Sequence, residues 1–213
     1  RSWSLRGTLS RATNNEKNAL LYYQKASEIY KSYSDLRGIA TQNNNIALLY
    51  QSNEMNDEAL NIFIENKNIA LNMDNKELLE VSLLNIGQTY FNKNQYDSAL
   101  IYLDQAIVLC NELKTDMYVK HKFWGFLFKG HIFKNQKNKV QAIKTYEKCI
   151  AIAHSLNDLD GLSYVYSSLG SLFFEYRKYE LSLQNYLKAQ KFQKELSGHT
   201  NQMTLYMIYK NYK

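Results

Sequence analysis

The stretch 83-LLNIGQTYFNKNQYDSALIYLDQA-106 decides how the chain is read. As one amphipathic helix it fails, because Gly87 interrupts the apolar rhythm and the polar run Asn92-Lys93-Asn94-Gln95 breaks it. As two helices joined by a turn it works. The first helix then keeps a glycine near its middle, where glycine costs about 1 kcal/mol relative to alanine. A neighbouring group must gain from the missing side chain.

The same stretch recurs along the chain. In 166-YSSLGSLFFEYRKYELSLQNYLKA-189, Leu169-Gly170, Phe173, Tyr179, Tyr186 and Ala189 fall under Ile86-Gly87, Tyr90, Tyr96, Leu103 and Ala106. Further copies centre on Gly7, on Ala47 and on Gly130, so that the small residues Gly7, Ala47, Gly87, Gly130 and Gly170 are spaced by 40, 40, 43 and 40 positions. A second small residue follows each by twelve: Ala19, Ala59, Ala99, Ala142 and Ser182. Antiparallel helices approach closely only where both lack bulk, so this reading pairs Gly87 with Ala99. Cys149 is read as filling a small-residue slot in a helix interface. The approximate repeats are 1–39, 40–79, 80–122, 123–162 and 163–202, with 203–213 as a partial sixth helix, and the three extra residues of the third interval are placed within 111–122. Repeated Asp-Leu-x-Gly-apolar segments, as at Asp35–Ile39 and Asp158–Leu162, read as a helix end followed by a fresh start.

The order large, small, aromatic at four-residue intervals, then Ala, aromatic and Ala, resembles the tetratricopeptide repeat. The likeness spans nearly the whole chain. It departs from that family in lacking every terminal proline, in a period near 40, and in placing Arg6 and Lys129 where an apolar residue is usual. Longer units of this kind resemble those of kinesin light chains and of peptide-sensing bacterial regulators. The resemblance implies an all-α, right-handed superhelical solenoid of antiparallel hairpins, one array over 1–213, whose job is protein or peptide recognition as a scaffold or the sensor part of a regulator. The runner-up is a structural segment that self-associates through its truncated C-terminal helix.

Composition agrees with helices. There is no proline in 213 residues and glycine occurs eight times, which argues against hairpin-rich β architectures. No apolar run approaches the roughly 20 residues that span a bilayer. The chain starts at Arg1 with no signal-peptide pattern; the expectation is a piece of a longer protein, with cytoplasm slightly favoured as its compartment. His121, His131, His154 and His199 fall in separate units without metal or nucleophile spacing, so no enzyme, cofactor or metal is expected. Residues 113–150 hold nine lysines against Asp116 and Glu147, a local +7 that leaves −1 for the remainder of a +6 chain. A solvated face accounts for such a run, and nucleic acid is an unlikely partner because other units lack the lysines that a phosphate-tracking stripe needs.

In the family, first helices line the binding groove. Counting from each small residue, the resemblance places Asn44, Asn45, Leu48 and Gln51 there, then Asn85, Gln88, Phe91 and Asn92. It adds Trp124, Leu127, Phe128, His131 and Lys134, and finally Tyr164, Ser167, Ser168, Ser171 and Glu175. Asn45 and Asn85 share one register, and a side-chain amide can pair with a peptide unit of any sequence; the alternative is that they reflect a chain with 23 asparagines. Trp124, Leu127 and Phe128 are read as apolar anchors, the alternative being that they pack on a linker at 111–122. The candidate ligand-binding set is thus Asn45, Asn85, Gln88, Trp124, Phe128, His131 and Ser168.

Overall fold

The computed structural model describes residues 2–113, 115–197 and 210. Among them are ten α-helices and no strand: α1 (Ser2–Ala12), α2 (Glu16–Ser32), α3 (Leu36–Ser52), α4 (Asn56–Asn72), α5 (Lys76–Asn92), α6 (Tyr96–Leu113), α7 (Asp116–Asn135), α8 (Lys139–Ser155), α9 (Leu159–Glu175) and α10 (Tyr179–Ser197). The chain forms two compact units, 1–109 and 110–213. The segment 203–213 lies outside the described residues, Lys210 excepted.

Helices end without glycine or proline, and the turns show how. At Asn14, Ser34, Glu54, Asp74, Asn94, Lys137, Asn157 and Arg177 the backbone takes a left-handed conformation, with φ between 47° and 61°. The next N–H bonds back five residues, as from Asp35 to the Tyr30 carbonyl (2.9 Å) and from Asn138 to that of Phe133 (2.8 Å). This is the Schellman arrangement. It reverses the chain in three residues and so replaces a proline terminator. Where the residue that follows is Asp or Asn it caps the next helix: the Asp35 carboxylate accepts from Gly38 N–H and Asp158 from Gly161 N–H, both at 2.9 Å, and Asn15, Asn75 and Asn138 act alike, whereas Met55 makes no such bond. The Asp-Leu-x-Gly segments are therefore helix starts. Non-glycine residues in this backbone region cost about 1–2 kcal/mol, asparagine less. We expect Glu54→Gly and Arg177→Gly each to raise stability by about 0.5–1 kcal/mol in urea unfolding, whereas Asn94→Gly changes little.

The three-residue excess is taken up chiefly by helix. α7 has 20 residues where α3, α5 and α9 have 17, and α6 runs to Leu113, so 111–122 is no linker and cannot serve as a packing surface of that kind.

The small residues organise each hairpin, with one correction. A Cβ placed on Gly87 would lie 2.7 Å from Leu103 Cγ, and one on Gly130 would lie 2.5 Å from the Tyr146 ring. The glycine therefore admits the large residue sixteen positions on, not the small one twelve on. Ala19, Ala59, Ala99, Ala142 and Ser182 are buried one turn earlier, and Ser182 Oγ donates to the Gly170 carbonyl at 2.8 Å. Ala47 keeps its methyl beside buried Phe63. Cys149 is wholly buried, its thiol pushed well up by that burial and donating weakly to the Phe123 carbonyl.

A second pattern repeats between the two helices of a hairpin. Lys25 lies over Trp3, Lys148 over Phe126 and Lys188 over Tyr166, each about 5 Å from the ring centre. In every case the aromatic lies four before the small residue and the lysine eighteen after it. Arg6, where the family is apolar, also sits 4.8 Å from the Trp3 ring.

Candidate recognition faces

In the first unit α3 and α5 present amides. Asn85 Nδ2 donates to Asn44 Oδ1 at 2.8 Å, and Gln51 Nε2 donates to Thr89 Oγ1 at 3.0 Å, tying successive first helices together. Thr89 is buried and passes its own proton to the Asn85 carbonyl (2.7 Å). Asn45 and Gln88 are half-buried. The pairing of Asn85 with Asn44 still leaves the Asn85 oxygen and the Asn44 nitrogen to meet a ligand. The asparagines therefore make a cross-helix contact that sequence register alone did not show.

In the second unit α7 and α9 present rings. Trp124 packs edge-on against Phe123 (5.4 Å between centroids) and Tyr164 (6.0 Å), and is tilted 6.5 Å from Phe128. His131 meets Tyr146 and Tyr164 edge-on at 5.7 and 6.2 Å. Burial, with Lys134 close by, holds its pKa down to about 4. Two sequence expectations change here. Leu127 is 1% exposed and belongs to the core with Phe123, Tyr146 and Leu162, so it is no anchor. Ser168 is buried, its hydroxyl donating to the Tyr164 carbonyl at 3.0 Å; its own chemistry is turned inward.

The lysine run is largely committed to neighbours. Lys134 Nζ reaches Ser171 Oγ (2.7 Å) and Glu175 (2.8 Å), Lys137 approaches the other oxygen of Glu175, and Lys139 lies over the Phe173 and Tyr176 rings. Tyr176 donates to the Lys137 carbonyl at 2.8 Å. Lys120 pairs with Asp158 and Lys122 with Asn111. Lys120, Lys134 and Lys137 thus bolt α7 and the following turn to α9 and its cap, Lys139 adds a contact from α8 to α9, and Lys122 ties α7 to α6, which weakens the nucleic-acid reading. Three of them share an offset of 37 or 38 positions that the sequence displays: Lys134 to Ser171, Lys120 to Asp158 and Lys137 to Glu175.

His131 gives a pH prediction. Its pKa is lowered on folding, so the neutral ring is favoured; the stability it permits is complete above pH 6.5 and falls as pH drops from 6.5 to about 4. Its charged neighbours are Lys134 and, paired with that lysine, Glu175. The loss amounts to about 3 kcal/mol by pH 4. His131→Gln should flatten this part of the stability–pH curve in urea titrations.

No three His, Cys, Asp or Glu residues gather as metal ligands among the described residues, and no described helix is long and apolar enough to cross a membrane. Comparison with curated protein sequences gives no match. Tetratricopeptide repeat profiles match residues 39–112 and 126–154. Similar folds occur in BtubC (BKLC) from P. vanneervenii, with TM-score 0.76 and 15% identity over 91% of this chain and 81% of that one. A putative kinesin light chain of P. anserina with nearly identical TPR-like repeats gives 0.71 and 13%, over 92% and 96%. A Rap protein complexed with competence and sporulation factor gives 0.70 and 14%, over 99% of this chain and 60% of that one. Register, hairpin geometry and profile agree: the chain is built of tetratricopeptide repeats, of a type about forty residues long.

Proposed function

We propose that the chain is a non-enzymatic recognition module that binds a protein or an extended peptide on the faces of its first helices. The observation that carries this is the amide face of α3 and α5, where Asn45 and Gln88 stand half-exposed beside the Asn44–Asn85 pair. Donors and acceptors on successive helices suit a main chain, whose groups alternate in the same way. The similarity to a Rap protein that was crystallised with competence and sporulation factor supports a ligand of this kind and, more specifically, the sensor part of a regulator.

Each net hydrogen bond contributes about 1 kcal/mol. Asn85 must exchange its bond to Asn44 for one to the ligand, so Asn45→Ala should cost more affinity than Asn85→Ala. For a peptide selected on the chain from a random library, the double variant should bind about ten- to thirtyfold more weakly, with an unchanged far-ultraviolet circular dichroism spectrum. Unaltered affinity would remove the amide face from recognition.

A further inference from the structure

Two positions after each small residue the first helices carry Leu9, Leu49, Thr89, Ile132 and Leu172. Leu49, Ile132 and Leu172 are buried, as apolar residues at a helix contact should be, and Thr89 is buried as completely, at 0% exposed. A hydroxyl therefore stands at a core position where the other repeats have none. Both of its hydrogen-bonding roles are used. It donates to the Asn85 carbonyl one turn back, at 2.7 Å, and it accepts from Gln51 Nε2 on α3, at 3.0 Å.

The first of these bonds decides the second. A threonine hydroxyl has one proton, and here the Asn85 carbonyl holds it. The oxygen can then only accept, so Gln51 must turn its amide nitrogen inward to Thr89. Its carbonyl oxygen is left on the other side of the amide. Gln51 is half-buried, and that oxygen takes no hydrogen bond among the described residues and is not one of their buried unpaired atoms. The Asn44–Asn85 contact lacks such a constraint. Each of those amides carries both a donor and an acceptor, so the pair can be turned round together without losing its bond. In the second unit Lys134 stands at the register of Gln51 and reaches across to Ser171 in the same way, but an ammonium group has no acceptor to present. Of the three amides in these cross-helix bonds, Gln51 alone is oriented from beneath.

We propose that Thr89 is a positioning residue for the recognition face: it holds Gln51 with its oxygen outward, so that α3 presents a fixed acceptor to a main-chain N–H of the bound peptide. This rests on the recognition reading above and adds to it a polarity, since at this point the ligand must donate.

The test uses a fluorescein-labelled peptide selected from a random octapeptide library on the intact chain, and analogues in which each amide N–H in turn is replaced by an ester oxygen. Fluorescence polarisation gives the affinities and urea unfolding the stabilities. One ester is expected to weaken binding about five- to tenfold on the unaltered chain, and less than about twofold on Gln51→Ala. Thr89→Val keeps the shape of the buried side chain. It should weaken the parent peptide about three- to tenfold while leaving the urea midpoint unchanged or higher. With Gln51 free to turn, the same ester should cost less than about twofold on this variant. Thr89→Ser should bind within about twofold of the unaltered chain, although the lost methyl lowers its urea midpoint. Affinity that follows stability across the valine and serine variants overturns the positioning role. So does an ester series with no sensitive N–H, or an ester penalty as large on Thr89→Val as on the unaltered chain; each of these leaves recognition intact. A library from which nothing binds overturns the recognition reading, and the positioning role falls with it.

Discussion

Tyr146→Ala is expected to lower the unfolding free energy by about 3–5 kcal/mol, the largest loss for any single truncation in the second unit. The ring is fully buried on α8, pressed against Gly130 and packed with Phe123, Leu127, Leu162 and Leu172 in one core. Its removal opens a cavity in the core that α7, α8 and α9 share. Tyr146→Phe should behave in the opposite way. The hydroxyl is buried with no hydrogen-bond partner among the described residues, and burial pushes its pKa well up. An unpaired buried polar group costs about 1–3 kcal/mol, so Tyr146→Phe should leave stability unchanged or raise it by about 1 kcal/mol. Urea unfolding of both variants checks the pair. A phenylalanine variant as damaged as the alanine variant would mean that the hydroxyl, not the ring volume, holds the site.

Adding a methyl to the repeat glycines should be graded by the space that each lacks. At Gly130 a Cβ would stand 2.5 Å from the Tyr146 ring, at Gly87 2.7 Å from Leu103, and at Gly170 3.0 Å from the Tyr186 ring. Overpacking of a rigid, buried ring costs about 1–3 kcal/mol, against a helix-propensity gain of about 1 kcal/mol for alanine. Gly130→Ala should therefore lose about 1–2 kcal/mol, Gly87→Ala less, and Gly170→Ala least. A leucine at Gly130 should exceed the range of overpacking that a hairpin absorbs and abolish cooperative unfolding of the second unit. The second repeat already carries alanine at this register, with Phe63 as its neighbour, which shows that the hairpin tolerates one methyl where the facing ring has been placed for it. Equal losses at all three glycines would separate the cost from the facing side chain.

The spacing of Gly7, Ala47, Gly87, Gly130 and Gly170 was enough to read hairpins and their family, because helix crossings demand small residues and the demand repeats. The facing residue was not readable from it. Ala99 is the nearest small residue on the partner helix, yet the glycine opens toward Leu103 one turn further on, a matter of how two helices are rotated against each other. Turns were legible in position through Asp35 and Asp158, but not in mechanism, since the left-handed residue is Glu, Lys or Arg in three of them. Counting from the small residue placed Trp124 and Phe128 correctly on the half-open surface and misplaced Leu127. Three before the small residue is an edge position: Asn44 and Ser167 stay partly outside, and an apolar side chain there turns into the core. The lysine run looked like a surface feature because its acceptors, Ser171 and Glu175, lie a full repeat away.

Recognition on the first-helix faces is tested most directly by placing a photo-reactive benzoylphenylalanine at Gln88 on α5 or at Gln105 on α6 and irradiating each variant with a peptide selected on the unmodified chain. Gln88 is half-buried on the amide face and Gln105 is exposed on a second helix. Crosslinking at 88 and none at 105 is the expected result. Crosslinking at 105 with none at 88 would move the ligand to the second-helix surface and contradict recognition by the first helices.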